Sequence, residues 1–390
     1  MLTPLSKGRR NPAGVHNMRG EQVPHMRPDW ALIHRQGPPR FWFPFLAFFC
    51  RLYGAGVGIR QWGYQCGLMK RESLPGAVVS IGNLTAGGTG KTPAVLFLAS
   101  WAAESGYRVA VLSRGYGGKY GPEVLVVSDG THLTASPRES GDEPYLLAKR
   151  LQNVPVLVSR KRYQAGWYAH EKLGCDFFIL DDGFQHVGLE RDLDLVLIDS
   201  ESPFGNGYLL PLGPLREPVD HLSRADACVL TRFKDPSSGD GTLSALKKRF
   251  PGKHFFCANH VPEKVVFPGS GKELEPEHLK GKRVVAFAGI AKPDTFRLTL
   301  ETLGADLAGF RSFRDHYSFR PEDIRSLITF KQSVGAGYLL TTEKDWVRIA
   351  SIGPEISEIG YLSIKFSLIK DEDAFFRMIR ERAEAKIKSE

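Results

Sequence analysis

With 390 residues and 42% hydrophobic content, the chain can close a core in each of two domains, which excludes a disordered or fibrous protein. Its net charge of +9 asks for an acidic partner but leaves nucleic acid, an anionic membrane face and a phosphorylated substrate open. Cys50, Cys66, Cys175, Cys228 and Cys257 are scattered and form no C-x-x-C pair, so neither a disulfide framework nor a zinc site is indicated and a reducing compartment fits.

Residues 1–39 are rich in Arg, Pro, Gly and His, show no apolar period, and are predicted to be a disordered basic extension. From Phe41 to Ile59 the chain reads FWFPFLAFFCRLYGAGVGI, apolar and aromatic but interrupted by Pro44, Arg51 and three glycines. Arg35, Arg40, Arg60, Lys70 and Arg71 flank it, and Trp42, Tyr53, Trp62 and Tyr64 are residue types that settle at a lipid headgroup boundary. Residues 40–70 are therefore expected to form a helix lying in a membrane interface, with a transmembrane anchor or a plain core helix as alternatives. The apolar stretch starts late and lacks a small-residue cleavage site, so no cleavable signal is expected.

A β-branched run, Val78, Val79 and Ile81, enters a loop carrying Gly82, Gly87, Gly88 and Gly90, and Lys91, Thr92 and a helix opened by Pro93 follow. That order is strand, phosphate loop, helix. Backbone N–H groups along Gly87, Gly88, Thr89, Gly90, Lys91 and Thr92 would cradle a nucleoside triphosphate. Lys91 would reach its outer phosphates, and the Thr92 hydroxyl would hold Mg²⁺. Thr85 stands where the strict G-x-x-x-x-G-K-[ST] pattern has its first glycine, so the loop is a variant; a glycine-rich turn with a chance lysine is the plainer reading.

Further strands are predicted at 108–113, 124–127, 156–159, 177–180, 193–199 and 227–231. Helices at 145–151 and 160–173 alternate with them, as a doubly covered parallel sheet requires. The strand at 177–180 ends in Asp181 and Asp182. An apolar strand ending in acids after a phosphate loop is the second nucleotide-site signature, one carboxylate holding Mg²⁺ directly or through water; a solvated strand end is the bland alternative. Between the last two strands, GNGYLLPLGPLREP (205–218) is too rich in Gly and Pro for regular structure and too apolar for an idle loop, so it is expected to shape a binding surface. Arg216 is either its anion contact or an ordinary salt bridge. TRFKD, from Thr231, occupies the slot where GTPases read guanine, but Lys234 at its fourth position gives that reading no support.

Polar stretches at 235–241 and 262–281 mark a domain junction. They divide the chain into a P-loop domain at 71–255, a linker at 256–282 and a second α/β domain at 283–390, which opens on RVVAFA and closes on a charged helix from Asp371. Phosphoryl transfer to a hydroxyl works best with a base to take its proton. Asp142, in the glycine-preceded turn SGDEP on the rim where open α/β sheets bind ligands, is the base candidate, and a helix N-cap is its plainer role. His316, beside Asp315, is placed to orient or tune a carboxylate, although a lone histidine more often has a bland role.

GNLTAGGTGKTP (82–93), LSRGYG (112–117), GDEP (141–144), LDDGFQH (180–186), PLGPLREP (211–218), FAGIAKP (287–293), FRDHYSF (313–319) and TTEKDWVR (341–348) follow one another in an order that resembles the tetraacyldisaccharide 4′-kinases of Gram-negative bacteria. The resemblance runs from about Phe41 to the C-terminal helix. It implies an α/β fold: a P-loop NTPase core with a parallel sheet, a second, smaller α/β domain and an N-terminal membrane-associated helix. It also implies an ATP- and Mg²⁺-dependent kinase of lipid A biosynthesis, phosphorylating the 4′-hydroxyl of an acylated glucosamine disaccharide 1-phosphate. Such an enzyme would be peripheral or monotopic on the cytoplasmic face of the inner membrane, with an anionic membrane surface and no nucleic acid as partner. By matching motif, Asp142 is the base, His316 its partner and Lys91 the phosphate contact, with Thr92, Asp181 and Asp182 at the metal. Position 85 is small and variable in this family, and Tyr317 stands where a second histidine is common. A membrane-associated P-loop GTPase or ATPase is the rival class; it would need no sugar-hydroxyl base, so Asp142 discriminates.

Overall fold

The computed structural model describes residues 33–34, 37–121, 123–233 and 241–388; most of the basic extension, and Lys234, lie outside them. The chain forms two compact units, one made of the described residues up to Glu263 together with those from Ser363 onward, the other of Lys264–Leu362.

The first unit begins with α1 (Phe43–Gln65), an uninterrupted helix despite Pro44, which sits in its first turn where no N–H is needed. Within it only Leu46 and Gly63 are buried, whereas Phe45, Phe48, Leu52, Ile59 and Trp62 are each more than half exposed. No helix among the described residues is long and apolar enough to cross a membrane.

Next come β1 (Ala77–Asn83), α2 (Lys91–Glu104), β2 (Val109–Ser113), β3 (Leu125–Ser128), the short α3 (Pro137–Ser140) and α4 (Asp142–Arg150). They are followed by β4 (Val156–Val158), α5 (Arg162–Leu173), β5 (Phe177–Asp181), β6 (Leu193–Asp199), β7 (Ala227–Thr231), α6 (Gly241–Arg249) and β8 (His254–Phe267). The sheet order in this unit is β8-β7-β6-β1-β5-β2-β4-β3, parallel except for β3 against β4. All seven residues of β1 are buried, as a central strand covered on both faces requires. Period-two alternation sends Ala77, Val79 and Ile81 to one face, where Val95, Leu98 and Ala102 of α2 pack, and Val78 to the other, against Ala165 and Ala169 of α5.

The second unit continues from β8 through β9 (Lys272–Leu274), β10 (Arg283–Ala288), α7 (Pro293–Thr302), β11 (Asp306–Ser312), α8 (Pro321–Ser333), β12 (Tyr338–Thr342), α9 (Glu343–Ile349) and β13 (Ile359–Leu368). Its parallel order is β11-β10-β12-β13. Two details depart from expectation. Residues 256–267, expected as linker, continue β8, whose pattern is only half buried because His254, Val261 and Lys264 are exposed. The chain also returns: Phe366 and Leu368 of β13, with Phe375, Ile379 and Ala383 of α10 (Glu372–Ile387), join the first unit's core beside Val95 and Leu98.

Candidate active site

The phosphate loop leaves the carboxyl end of β1, between β5 and β6, where parallel sheets place ligands. Gly82 allows the close approach of the turn after β5: a Cβ there would fall 2.6 Å from the Cβ of Phe184. Gly90 caps α2 in the left-handed region, φ +88°, which directs the helix N-terminus with its open N–H groups into the loop. The 205–218 loop walls the other side, the Ala86 N–H donating to the Pro214 carbonyl and the Arg216 N–H to that of Leu84, both at 2.7 Å.

Four charged side chains meet here. Lys91 Nζ lies 3.2 Å from Asn83 Oδ1 and 3.4 Å from Asp182 Oδ1. Arg216 Nη1 donates to both Asp182 oxygens, at 2.8 and 2.7 Å. Burial opposes the charge on Asp182, but Lys91 and Arg216 outweigh it and hold the carboxyl at about 2. Asp181, 3% exposed, is the opposite case: burial first, then the negative charges of Glu143 and Asp182, pushes its carboxyl up to about 6. Ser113 Oγ donates to its Oδ2 at 3.0 Å, while Oδ1 has no hydrogen-bond partner among the described residues. The pair thus offers one carboxylate locked to cations and one oxygen open to another ligand. Among the described residues no three His, Cys, Asp or Glu side chains form a metal cage. Mg²⁺ at a nucleotide does not need one, since one or two carboxylates suffice beside phosphate and water, so Asp181 and Thr92 fit.

Asp142 is the first residue of α4, half-buried, after Gly141 as the cap. The structure therefore does not use it as the N-cap. The first turn of α4 is close enough to β5 for Glu143 to act on Asp181. His316 belongs to the second unit, where three parallel strand ends converge. Arg348 Nη1 donates to Asp345 at 2.8 Å and to the Gly289 carbonyl at 2.8 Å, and its Nη2 donates to His316 Nδ1 at 3.1 Å. The other ring nitrogen, Nε2, lies 4.0 Å from Asp315 Oδ1.

Sequence reasoning missed Arg162, 3% exposed, whose Nη2 donates to the carbonyls of Asp181 at 3.0 Å and Asp182 at 3.2 Å. It thereby steadies the left-handed turn at Asp182, φ +51°. Nothing in SRKR at the start of α5 announces that role. Asn83 was legible only as part of its motif block.

A Gly-rich loop on a central parallel strand, a lysine at its helix start and paired aspartates on the neighbouring strand define a P-loop phosphotransferase. The family model described as tetraacyldisaccharide-1-P 4′-kinase (LpxK) matches residues 42–384, and the chain belongs to that family of transferases. Its relatives include the tetraacyldisaccharide 4′-kinase of Syntrophus aciditrophicus, 39% identical over 88% of this chain and 95% of that one. The tetraacyldisaccharide 4′-kinase of Syntrophobacter fumaroxidans is 44% identical over 80% and 81%. Among solved structures, LpxK from Aquifex aeolicus in complex with ATP is 35% identical, covers 88% of this chain and 98% of its own, and superposes with a TM-score of 0.69.

Proposed function

We propose that the chain transfers the γ-phosphoryl group of ATP to the 4′-hydroxyl of a tetraacylated glucosamine disaccharide 1-phosphate, at the anionic cytoplasmic face of the inner membrane. The observation that carries this is a short physical link from the exposed apolar surface of α1 to the phosphate loop. The Tyr53 hydroxyl of α1 donates to the Arg216 carbonyl at 2.9 Å, and the Arg216 guanidinium holds Asp182 beside Lys91. An acceptor whose acyl chains engage the exposed rings of α1 has its sugar delivered beside the loop that holds ATP.

In this reading Lys91 and the N–H groups of Gly87–Thr92 bind the phosphates and offset the charge that moves during transfer. Asp142 takes the proton of the 4′-hydroxyl, and His316 is its partner. Thr92, Asp181 and Asp182 are the groups that would hold or steady Mg²⁺, whose chemistry is to neutralise charge on the β- and γ-phosphate oxygens. The test is incubation with γ-labelled ATP and a tetraacylated disaccharide 1-phosphate. Label entering the lipid supports the reading, and label appearing only as inorganic phosphate refutes it in favour of an ATPase.

A further inference from the structure

TRFKD, which fails as a guanine reader, begins at the end of β7 with two residues that grip the phosphate loop. The buried Thr231 hydroxyl donates to the Thr89 carbonyl at 3.0 Å. Arg232 Nη2 donates to the Gly88 carbonyl at 2.9 Å, while its Nη1 is ion-paired with buried Asp199 at the end of β6. Arg232 holds a left-handed backbone, φ +56°, unfavourable for a residue with a Cβ, and its own carbonyl is fixed by Ser200 Oγ at 2.8 Å. His260 of β8 packs behind Gly90 so tightly that a Cβ there would fall 2.1 Å from its ring. Burial, then the charge of Arg232, pushes that imidazole down to about 4, so it stays neutral beside the guanidinium.

A trans peptide is planar, so a carbonyl and the N–H that follows it point in opposite directions. Anchoring the carbonyls of Gly88 and Thr89 toward β7 turns the N–H groups of Thr89 and Gly90 to the other side of the loop. Left unanchored, a glycine-rich loop samples many peptide orientations, and binding must first select the one that presents these donors. We propose that Arg232, braced by Asp199 and seconded by Thr231, is a positioning clamp that presets the Thr89 and Gly90 N–H groups toward the nucleotide phosphates. The proposal rests on the reading of Gly87–Thr92 as the triphosphate loop.

The test combines ATP binding by calorimetry, KM for ATP and for the acylated acceptor, kcat and melting temperature, on the full chain. Arg232→Ala should weaken ATP binding about tenfold to a hundredfold, the range expected for a lost charged hydrogen bond and its brace, with the acceptor KM held within about twofold. Arg232→Lys should fall between, because one ammonium cannot bridge Asp199 and the Gly88 carbonyl as a planar fork does. Thr231→Val, near in volume but lacking the hydroxyl, should weaken ATP alone by about tenfold or less. If Arg232→Ala does not fold, the lysine and valine variants carry the test. Lys91→Ala serves as reference: ATP affinity lost there but intact in all three clamp variants overturns the clamp and spares the phosphate loop. Intact affinity in Lys91→Ala as well overturns both. ATP and acceptor KM rising together with a falling melting temperature would show a merely structural role and overturn the clamp.

Discussion

Replacing Arg216 with alanine removes the closer of the two cations that hold Asp182, leaving Lys91 at 3.4 Å. Asp182 is 11% exposed at its side chain and sits at about 2 against an ordinary 3.8. At ~1.4 kcal/mol per pKa unit, that is worth roughly 2–3 kcal/mol of net stabilisation at neutral pH. Arg216 shares it with Lys91, but truncating one partner also strands a buried carboxylate, so Arg216→Ala should lose about 2–4 kcal/mol. The folded-state value is depressed, so the stabilisation is fully present above the unfolded pKa and drains away as pH falls through 4 toward 2. Urea unfolding of wild type and variant at pH 7, 4 and 3 measures this. The gap should be widest at pH 7 and clearly narrower at pH 3. A gap that does not change with pH, or a variant as stable as wild type at pH 7, refutes the argument that Arg216 works through the charge of Asp182.

Lys91→Ala should cut turnover by about a hundredfold or more with the melting temperature nearly unchanged, and near-normal turnover would sink the phosphate-loop assignment. Serine at Phe45, Phe48 and Ile59 together should weaken binding to vesicles containing anionic phospholipid by at least about a hundredfold, since each such side chain buried in lipid is worth ~1.5–3 kcal/mol. Unchanged cosedimentation would place the membrane contact elsewhere. Asp142→Ala and His316→Ala should each slow kcat by about 10²- to 10⁴-fold with little change in KM for ATP. If the two serve one step the double variant is scarcely slower than either, whereas multiplicative losses would mean they act independently.

The parts legible in the sequence were those in which one local pattern dictates one local structure. The β-branched run before Gly82 could only be a buried strand, and GGTGKT after it could only turn tightly into a helix, which is why β1, the loop and α2 lie where the residues say. FFILDD behaves likewise. Illegible were groups whose role comes from distant chain segments meeting: Arg162 reaching back to the carbonyls of Asp181 and Asp182, and Arg348 bridging three loops. In each case a basic residue looks like solvated surface until folding removes its solvent. HFFCANHVPEKVVF hides a strand because its alternation is broken by Pro262 and by a half-exposed face.

The return of the chain through β13 and α10 sets an order of events during synthesis. Phe97 on α2 waits for Phe366, Phe375 and Phe376, whose rings pack 5.2–6.4 Å from its own. Until those residues leave the ribosome, the nucleotide-binding unit presents an open apolar face on α2 while the whole of the second unit is being made. A chain stopped after Leu362 would hold every motif block yet still expose that face. The nascent chain should therefore stay prone to aggregation, and a client for chaperones, until α10 has emerged to cover that face.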